Sequence, residues 1–179
     1  MVKLVDAMDS KSIGAIHAGS SPALGTSLKN MTRKELAIQY FKEGYNCSQA
    51  VVLAFKDLVK DPENLVKIAA PFGGGLSRMR ETCGAVSGMV LVMGNLFGYN
   101  TPETGDKKHE LYENTQVLLR IFEKKYGSLT CRVLRGITQV HDNSTPTKRD
   151  ENFYKTTPCS ELVGGAAEIL DEFLASKKN

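Results

Sequence analysis

The sequence ETCGAVSGMVLVM, residues 81–93, decides the fold that we predict. Threonine is a favoured N-cap residue, so Thr82 predicts a helix start with Cys83 in the first turn. The free backbone N–H groups of a first turn favour a thiolate there. Gly84 and Gly88 lie four residues apart on one helical face, where a neighbouring helix or a cofactor can approach the backbone closely. The stretch therefore predicts a buried helix that begins at a cysteine placed for chemistry.

The composition is that of an ordinary globular protein, with 41% hydrophobic and 24% charged residues over 179 positions. The formal net charge of +3 is too small to indicate nucleic acid or an anionic membrane surface as a partner. The longest apolar run, residues 86–97, is interrupted by polar residues and glycines and is shorter than the roughly 20 residues that span a bilayer. We therefore expect neither a nucleic-acid nor a membrane partner.

The chain contains four cysteines, Cys47, Cys83, Cys131 and Cys159. A chain of this length with so few cysteines is not a disulfide-dense secreted scaffold, and its first residues do not form a secretory signal pattern. We therefore expect a cytoplasmic location. No two of the cysteines have the Cys-x-x-Cys spacing of a zinc ribbon or a thioredoxin site, so spacing alone does not define their chemistry.

The pattern of caps and apolar faces predicts an all-α fold, a compact bundle of about six to seven helices in which we find no strand or hairpin pattern. Residues 1–30 are small, polar and aperiodic, and they predict a flexible arm or a leader added for expression. Residues 31–179 predict a single helical four-cysteine domain. Residues 136–157 are polar and predict a long surface connection. The expected helix starts lie at Thr32 with Glu35, Asn46, Asp61-Pro62, Thr82, Thr101-Pro102, Ser128 and Thr157-Pro158.

Each cysteine falls in or near the first turn of a predicted helix, behind the caps Asn46, Thr82, Ser128 and Thr157. If these helix starts converge, the thiols and several free N–H groups face a common point, and the helix dipoles lower the thiol pKa values. Such a site suits metal ligation, iron–sulfur ligation and thiol–disulfide exchange equally well. The placement indicates thiolate chemistry without deciding among the three.

Five stretches together resemble a known family of redox-active proteins, named for four cysteines and a Gly/Cys/Ala-x-x-Gly motif. The resemblance covers about residue 31 to the C-terminus, and the ordered set of motifs is more specific than any one of them. It implies redox activity without a defined reaction. The stretches are Tyr45–Ala50 (YNCSQA), Phe72–Gly75 (FGGG), Cys83–Gly88 (CGAVSG), Gly127–Cys131 (GSLTC) and Cys159–Val163 (CSELV).

A related cysteine-bearing module is similar to part of the split-Soret cytochromes. That similarity implies an iron–sulfur cluster beside haem. This chain has no Cys-x-x-Cys-His sequence, so covalently attached haem is not expected.

Glycines and arginines near the cysteines are further candidates for the site. We take Gly74, Gly75, Gly84 and Gly88 as candidate cofactor-binding positions; the alternatives are a tight turn that gives room to a neighbouring helix for the first two and helix packing alone for the last two. A phosphate loop is not indicated, because Leu76-Ser77 follows the glycines where a Lys-Ser/Thr ending is needed. The candidates that could stabilise an anionic cluster or thiolate, or be simple surface charge, are Arg78 and Arg80.

Three functions follow from these observations. The first is ligation of an iron–sulfur cluster, zinc or another thiophilic metal by Cys47, Cys83, Cys131 and Cys159 for electron transfer. The second is a thiol–disulfide carrier with Cys83 as the nucleophile, because the adjacent glycine leaves it approachable. The third is a non-catalytic interaction module with structural cysteines. An oxidoreductase and an electron carrier both remain open, with an unidentified redox partner protein and a homodimer as the default assembly.

Overall fold

The computed structural model describes residues 30–102, 105–138 and 143–177 of the chain. Within them it contains eight α-helices, a short 3-10 helix at Ala70–Phe72 and a single isolated β-bridge. The predicted all-α fold class is confirmed. Apart from Asn30, the leader expected over residues 1–30 lies outside the described residues. The helices are α1 (Arg33–Lys42), α2 (Cys47–Ala54), α3 (Pro62–Ala69), α4 (Gly84–Phe97), α5 (Asp106–Tyr126), α6 (Cys131–Leu134), α7 (Glu151–Thr156) and α8 (Cys159–Ser176).

The core lies where α8 packs against α1, α2, α4 and α5. Its largest side chains include Phe41, Phe55 and Phe122, none of which is exposed to solvent. Full burial of side chains of this size stabilises a fold by about 1.5–3 kcal/mol each. No helix in the part of the chain that the structure describes is both long and apolar enough to cross a membrane.

The glycines of α4 let α2 approach it unusually closely. A Cβ atom placed on Gly88 would lie 2.7 Å from the carbonyl oxygen of Ser48, and one on Gly84 would lie 3.0 Å from the Cβ atom of Cys47. Real Cβ atoms are not found so near to other atoms, so only glycine allows this contact. The close approach predicted for this face is confirmed, and helix α2 occupies it. Its consequence is that the first residue of α2, Cys47, lies beside the first turn of α4.

The start of α4 differs from the prediction. Cys83 itself is the N-cap residue, and Thr82 pairs with Thr130 in the isolated antiparallel bridge. The prediction of Thr82 as the cap was wrong because the backbone there is extended and pairs with a segment far along the chain. The start of α6 differs in the same way, because Thr130 is its N-cap and Ser128 Oγ accepts a hydrogen bond from the Thr130 N–H at 3.0 Å.

The stretch before α8 is not only a surface connection, because residues 151–156 form α7. The Asp150 side chain caps this helix by accepting a hydrogen bond from the Phe153 N–H at 2.9 Å. Thr157 ends α7 instead of capping α8, and Pro158 occupies the N-cap position of α8. The part of the predicted connection at residues 139–142 lies outside the described residues.

Helix α5 begins later than the Thr101-Pro102 signal predicts. Its first residue is Asp106, with Gly105 as the N-cap, and the acidic side chain in the first turn complements the positive end of the helix. The helix ends at Gly127, which has a left-handed φ of 85° and follows two lysines in the last turn.

Candidate thiol site

The predicted helix starts converge on one small enclosed cavity of about 10 Å³. The apolar side chains of Leu162 and Val163 on α8 form part of its wall. The thiols are thus surrounded mainly by the protein and not by solvent. This burial affects their pKa values. The side chains that line this cavity include all four cysteines, Cys47, Cys83, Cys131 and Cys159.

Cys47 and Cys159 form one pair, each as the first residue of a helix. The Asn46 side chain fixes the start of α2 by accepting hydrogen bonds from Ser48 N–H and Gln49 N–H, both at 3.0 Å. The side chains of Cys47 and Cys159 lie within hydrogen-bonding reach of each other. Two thiols in such contact are placed for disulfide formation.

Cys83 and Cys131 form the second pair, on either side of the β-bridge. The Cys83 N–H donates to Leu129 O at 2.8 Å, and the Cys131 N–H donates to Glu81 O at 2.6 Å. These bonds hold the two short segments antiparallel and bring both side chains to the cavity. Both residues are buried, with exposed fractions of 4% and 6%.

A left-handed turn places the backbone of the glycine segment, Gly73–Gly75, against this second pair. Every residue from Gly74 to Arg78 has a positive φ, between 46° and 70°, and Arg80 has a φ of 62°. The left-handed conformation costs roughly 1–2 kcal/mol for each residue other than glycine, so the surroundings must stabilise it. Hydrogen bonds from Ser77 N–H to Pro71 O at 2.7 Å and from Glu81 N–H to Gly75 O at 3.1 Å do so.

A larger pocket of about 460 Å³ opens beside the small cavity. Three of the cysteines, Cys47, Cys131 and Cys159, line it, whereas Cys83 does not. The described residues that line it include no aspartate or glutamate. The charged side chains among them are all arginines, namely Arg78, Arg80, Arg135 and Arg149.

Arg149 joins the segment before α7 to the end of α1. Its Nη1 atom donates hydrogen bonds to Phe41 O at 3.2 Å and to Tyr45 O at 2.6 Å, and its guanidinium lies 4.4 Å from the centre of the Phe41 ring. Such stacking of arginine on an aromatic face is favourable. The guanidinium is therefore held at the pocket by contacts that use only part of its hydrogen-bonding capacity.

Arg135 follows α6, four residues after Cys131. Its guanidinium lies 5.9 Å from the centre of the Phe153 ring. Its Nε atom is buried and has no hydrogen-bond partner among the described residues. A buried donor without an acceptor is uncommon in folded proteins and indicates a place where an acceptor can bind.

The two thiols of the first pair have opposite pKa shifts. The pKa of Cys159 is lowered to about 6, first by the hydrogen bond from Cys47 and then by the positive charges of Arg135 and Arg149, which together outweigh burial. The pKa of Cys47 is raised because its proton is held in the hydrogen bond to Cys159 and because it is buried. The two opposite shifts favour a pair that shares one proton, with the negative charge at Cys159.

The second pair remains protonated at neutral pH. Burial raises the pKa of Cys83 to about 12, and burial also raises the pKa of Cys131 although the adjacent Arg80 guanidinium opposes it. The expectation that helix N-termini lower the pKa of all four thiols is not met in three of them, because burial raises the pKa of Cys83 and Cys131 and the hydrogen bond to Cys159 raises that of Cys47. The structure also does not favour Cys83 as the first nucleophile, since it is buried, protonated and away from the larger pocket.

The remaining predicted site residues lie close to the cysteines. Gly84 and Gly88 face α2, Gly75 lies against Cys131, and Arg80 lies beside the Cys131 thiol. Their roles toward a cofactor stay predictions, as does that of Gly74 and of Arg78, which donates from Nε to Asn143 O at 2.7 Å.

Sequence analysis missed two residues of the pocket, Arg135 and Arg149. Arg135 had a detectable signal, because its position four residues after Cys131 places both on one helical face. Arg149 had none, because it lies in a polar stretch and reaches the pocket only through contacts with the distant α1.

The space between the four thiols bears on whether they could hold a metal ion or an iron–sulfur cluster. Four-thiolate zinc needs a tetrahedral set of sulfur atoms about 2.3 Å from the metal. In the part of the chain that the structure describes, no group of three or more His, Cys, Asp or Glu side chains could hold a metal ion. The cavity of about 10 Å³ between the thiols is the size of one water site. This space is too small for an iron–sulfur cluster as the thiols are arranged, and ligation of any metal by the four cysteines stays a prediction.

The fold and this site define an all-α protein whose four cysteines line one cavity. A family model described as "Putative redox-active protein (C_GCAxxG_C_C)" matches residues 45–173, and the chain belongs to that family. The resemblance noted from the sequence motifs is thereby confirmed. No curated protein and no solved structure matches the chain.

Proposed function

We propose that the protein is a thiol–disulfide redox protein in which Cys159 is the nucleophile and Cys47 is the resolving thiol. The observation that carries the proposal is that Cys47 and Cys159, each the first residue of a helix, line both the small cavity and the open pocket. A thiolate in contact with a protonated second thiol is the arrangement that two-step disulfide exchange needs. The lowered pKa of Cys159 supports this order of attack.

In the first step the Cys159 thiolate attacks one sulfur atom of a substrate disulfide. The substrate S–S bond breaks, a mixed disulfide forms on Cys159, and the other half leaves as a thiolate that takes a proton from water. Cys47 is then released from its hydrogen bond to the Cys159 thiolate, so its proton can leave to solvent.

In the second step the Cys47 thiolate attacks the Cys159 sulfur of the mixed disulfide. A Cys47–Cys159 disulfide forms, and the second half of the substrate leaves as a thiol. The substrate gains two electrons and the protein dithiol loses two. A dithiol reductant from outside the chain returns the protein to its starting state.

The test uses the full chain, reduced and kept without oxygen. Bis(2-hydroxyethyl) disulfide, a neutral substrate, is added, and the free thiols are counted while alkylation and mass spectrometry locate the disulfide. We expect the first two thiols to be lost together, as Cys47–Cys159. We expect Cys47→Ser to stop at the mixed disulfide and Cys159→Ser to lose the rapid reaction, whereas Cys83→Ser retains it. A first disulfide between Cys83 and Cys131, or no rapid reaction, would overturn the proposal.

A second candidate is a thiophilic metal centre, favoured by the fact that all four cysteines line one cavity. An iron–sulfur cluster there requires the thiols to move apart to make room. Iron, zinc and acid-labile sulfide measured on the same oxygen-free sample decide between the two candidates. Stoichiometric metal that is lost in the Cys159→Ser variant would replace thiol exchange with metal binding.

A further inference from the structure

The larger pocket combines the size of a small-molecule site with a concentration of positive charge. Its volume of about 460 Å³ lies within the roughly 300–1,000 Å³ of typical ligand sites. The described part of its lining provides four guanidinium groups and no carboxylate. Apolar walls from Phe41, Pro146 and Phe153 complete it. Such a pocket suits a molecule with an apolar middle and acidic ends.

Two of the arginines carry this inference. Neither Arg135 nor Arg149 makes a salt bridge with a carboxylate among the described residues, in contrast to Arg33 and Arg132. Among the described residues, the hydrogen bonds of Arg149 all come from Nη1, so its other N–H donors have no partner in this part of the chain. Arg135 has the buried Nε that lacks an acceptor. Both arginines line the same pocket, and a guanidinium group can donate to a carboxylate in the bidentate manner that arginine favours.

The same two arginines lie next to the reacting sulfur. Both guanidinium groups are near enough to Cys159 for their charges to act on it. An anion bound to them is therefore held beside the nucleophile. Without these charges, a thiolate would repel an anionic substrate.

We propose that the arginine pocket selects small disulfides that carry carboxylates, with Arg135 and Arg149 holding a carboxylate while the disulfide lies at Cys159. This inference rests on the proposed function. It names the substrate class of the same site, and both arginines are positioning residues in it.

Three disulfides of similar length and different charge test the selection: dithiodipropionate, a dianion; bis(2-hydroxyethyl) disulfide, neutral; and cystamine, a dication. The rate constant for oxidation of the Cys47–Cys159 pair is measured for each, and divided by its rate constant with a free small thiol. We expect the normalised rate of the dianion to exceed that of the dication by about tenfold or more, the range for charge-lined clefts. The ratio should fall as salt is added.

The variants Arg135→Gln and Arg149→Gln should each bring the ratio between dianion and dication to within about twofold. A general loss of Cys159 reactivity changes all three rates together, so the ratio isolates charge selection. Arg120→Gln is the matched control, because Arg120 lies on α5 and its side chain bonds Gln116 on the surface. It should leave the ratio unchanged. If Arg149→Gln does not fold, Arg135→Gln still gives the answer.

Octanedioate, the all-carbon analogue of dithiodipropionate, provides a readout without redox chemistry. We expect calorimetry to show its binding to the reduced wild-type protein and a loss of at least about tenfold in affinity in Arg135→Gln. Failure of the neutral disulfide to oxidise the pair, with octanedioate still bound, would overturn the proposed function and leave the anion site. Equal normalised rates for the three disulfides, without octanedioate binding, would overturn the anion site and leave the proposed function.

Discussion

The backbone of Gly75 lies directly against the side chain of Cys131, so that a Cβ atom placed on Gly75 would be 2.6 Å from Cys131 Cβ. Gly75 also has a φ of +70°, which side-chain-bearing residues rarely adopt. The backbone of the glycine segment thus packs directly against the thiol site and helps to fix the position of the cysteine. A larger residue at this position must displace either the left-handed turn or the cysteine.

Substitution Gly75→Ala should therefore lower the free energy of unfolding by about 2–5 kcal/mol, from the left-handed conformation and from overpacking together. Gly136→Ala is the matched control, because Gly136 has a similar φ of +62° and a methyl group added there would meet no atom of the described residues within 4 Å. This substitution should lower the free energy of unfolding only by the cost of the left-handed conformation, about 1–2 kcal/mol. Urea unfolding under reducing conditions measures both. Equal losses in the two variants would contradict the steric role of Gly75.

Two glycines of helix α4 should respond to alanine in opposite directions. In Gly88→Ala the new methyl group meets Ser48 O at 2.7 Å and Val51 Cβ at 2.9 Å, so α2 must shift and we expect a loss of about 1–3 kcal/mol. In Gly94→Ala the methyl group meets nothing within 4 Å, and the higher helix propensity of alanine should stabilise the protein by about 0.5–1 kcal/mol. Thermal unfolding of the two variants checks the signs. A stabilised Gly88→Ala variant would show that α2 and α4 are not in close contact.

The helix starts that sequence analysis predicted correctly are those whose signals are local. Thr32 and Glu35 satisfy each other's backbone groups within one turn, and Asn46 does the same with Gln49. Both partners of each cap lie within three positions of each other in the sequence. The prediction failed at Thr82 because its structure is determined by Thr130, far along the chain.

The residues of the candidate site also differ in whether their signal is local in the sequence. The cysteines were found because each lies at or beside a helix start, which leaves a local pattern in the sequence. The charged pocket was not found, because Arg149 reaches it through the carbonyl groups of Phe41 and Tyr45 on another element. The short helix α7 was missed for a related reason, since Phe153 and Tyr154 are held by packing on Phe41 and not by helix propensity.

Alkylation of Cys159 should depend on pH in a way that reveals its partner. Because the pKa of this thiol is lowered to about 6, the rate of its reaction with iodoacetamide should be half-maximal near that pH and level at neutral pH. Cys47→Ala removes the hydrogen bond that is the largest cause of the shift, so the midpoint should move upward. Cys83→Ala is the control and should leave the midpoint near its wild-type value. Peptide mass spectrometry follows each site; a wild-type midpoint near that of a free thiol would contradict the pairing of Cys47 with Cys159.

The pH dependence of stability should change sign near the ordinary thiol pKa of about 9. Between pH 6 and 9 the unfolded chain keeps the Cys159 proton that the folded protein has lost, so the unfolded state binds more protons and stability rises with pH. Above pH 9 the unfolded thiols of Cys47, Cys83 and Cys131 ionise while burial keeps the folded ones protonated, so stability falls. The difference in unfolding free energy between wild type and Cys159→Ala should grow by about 1–4 kcal/mol from pH 6 to 9. Urea titrations with a phosphine reductant measure this difference, and a flat difference over that interval would show that Cys159 is not a thiolate in the folded protein.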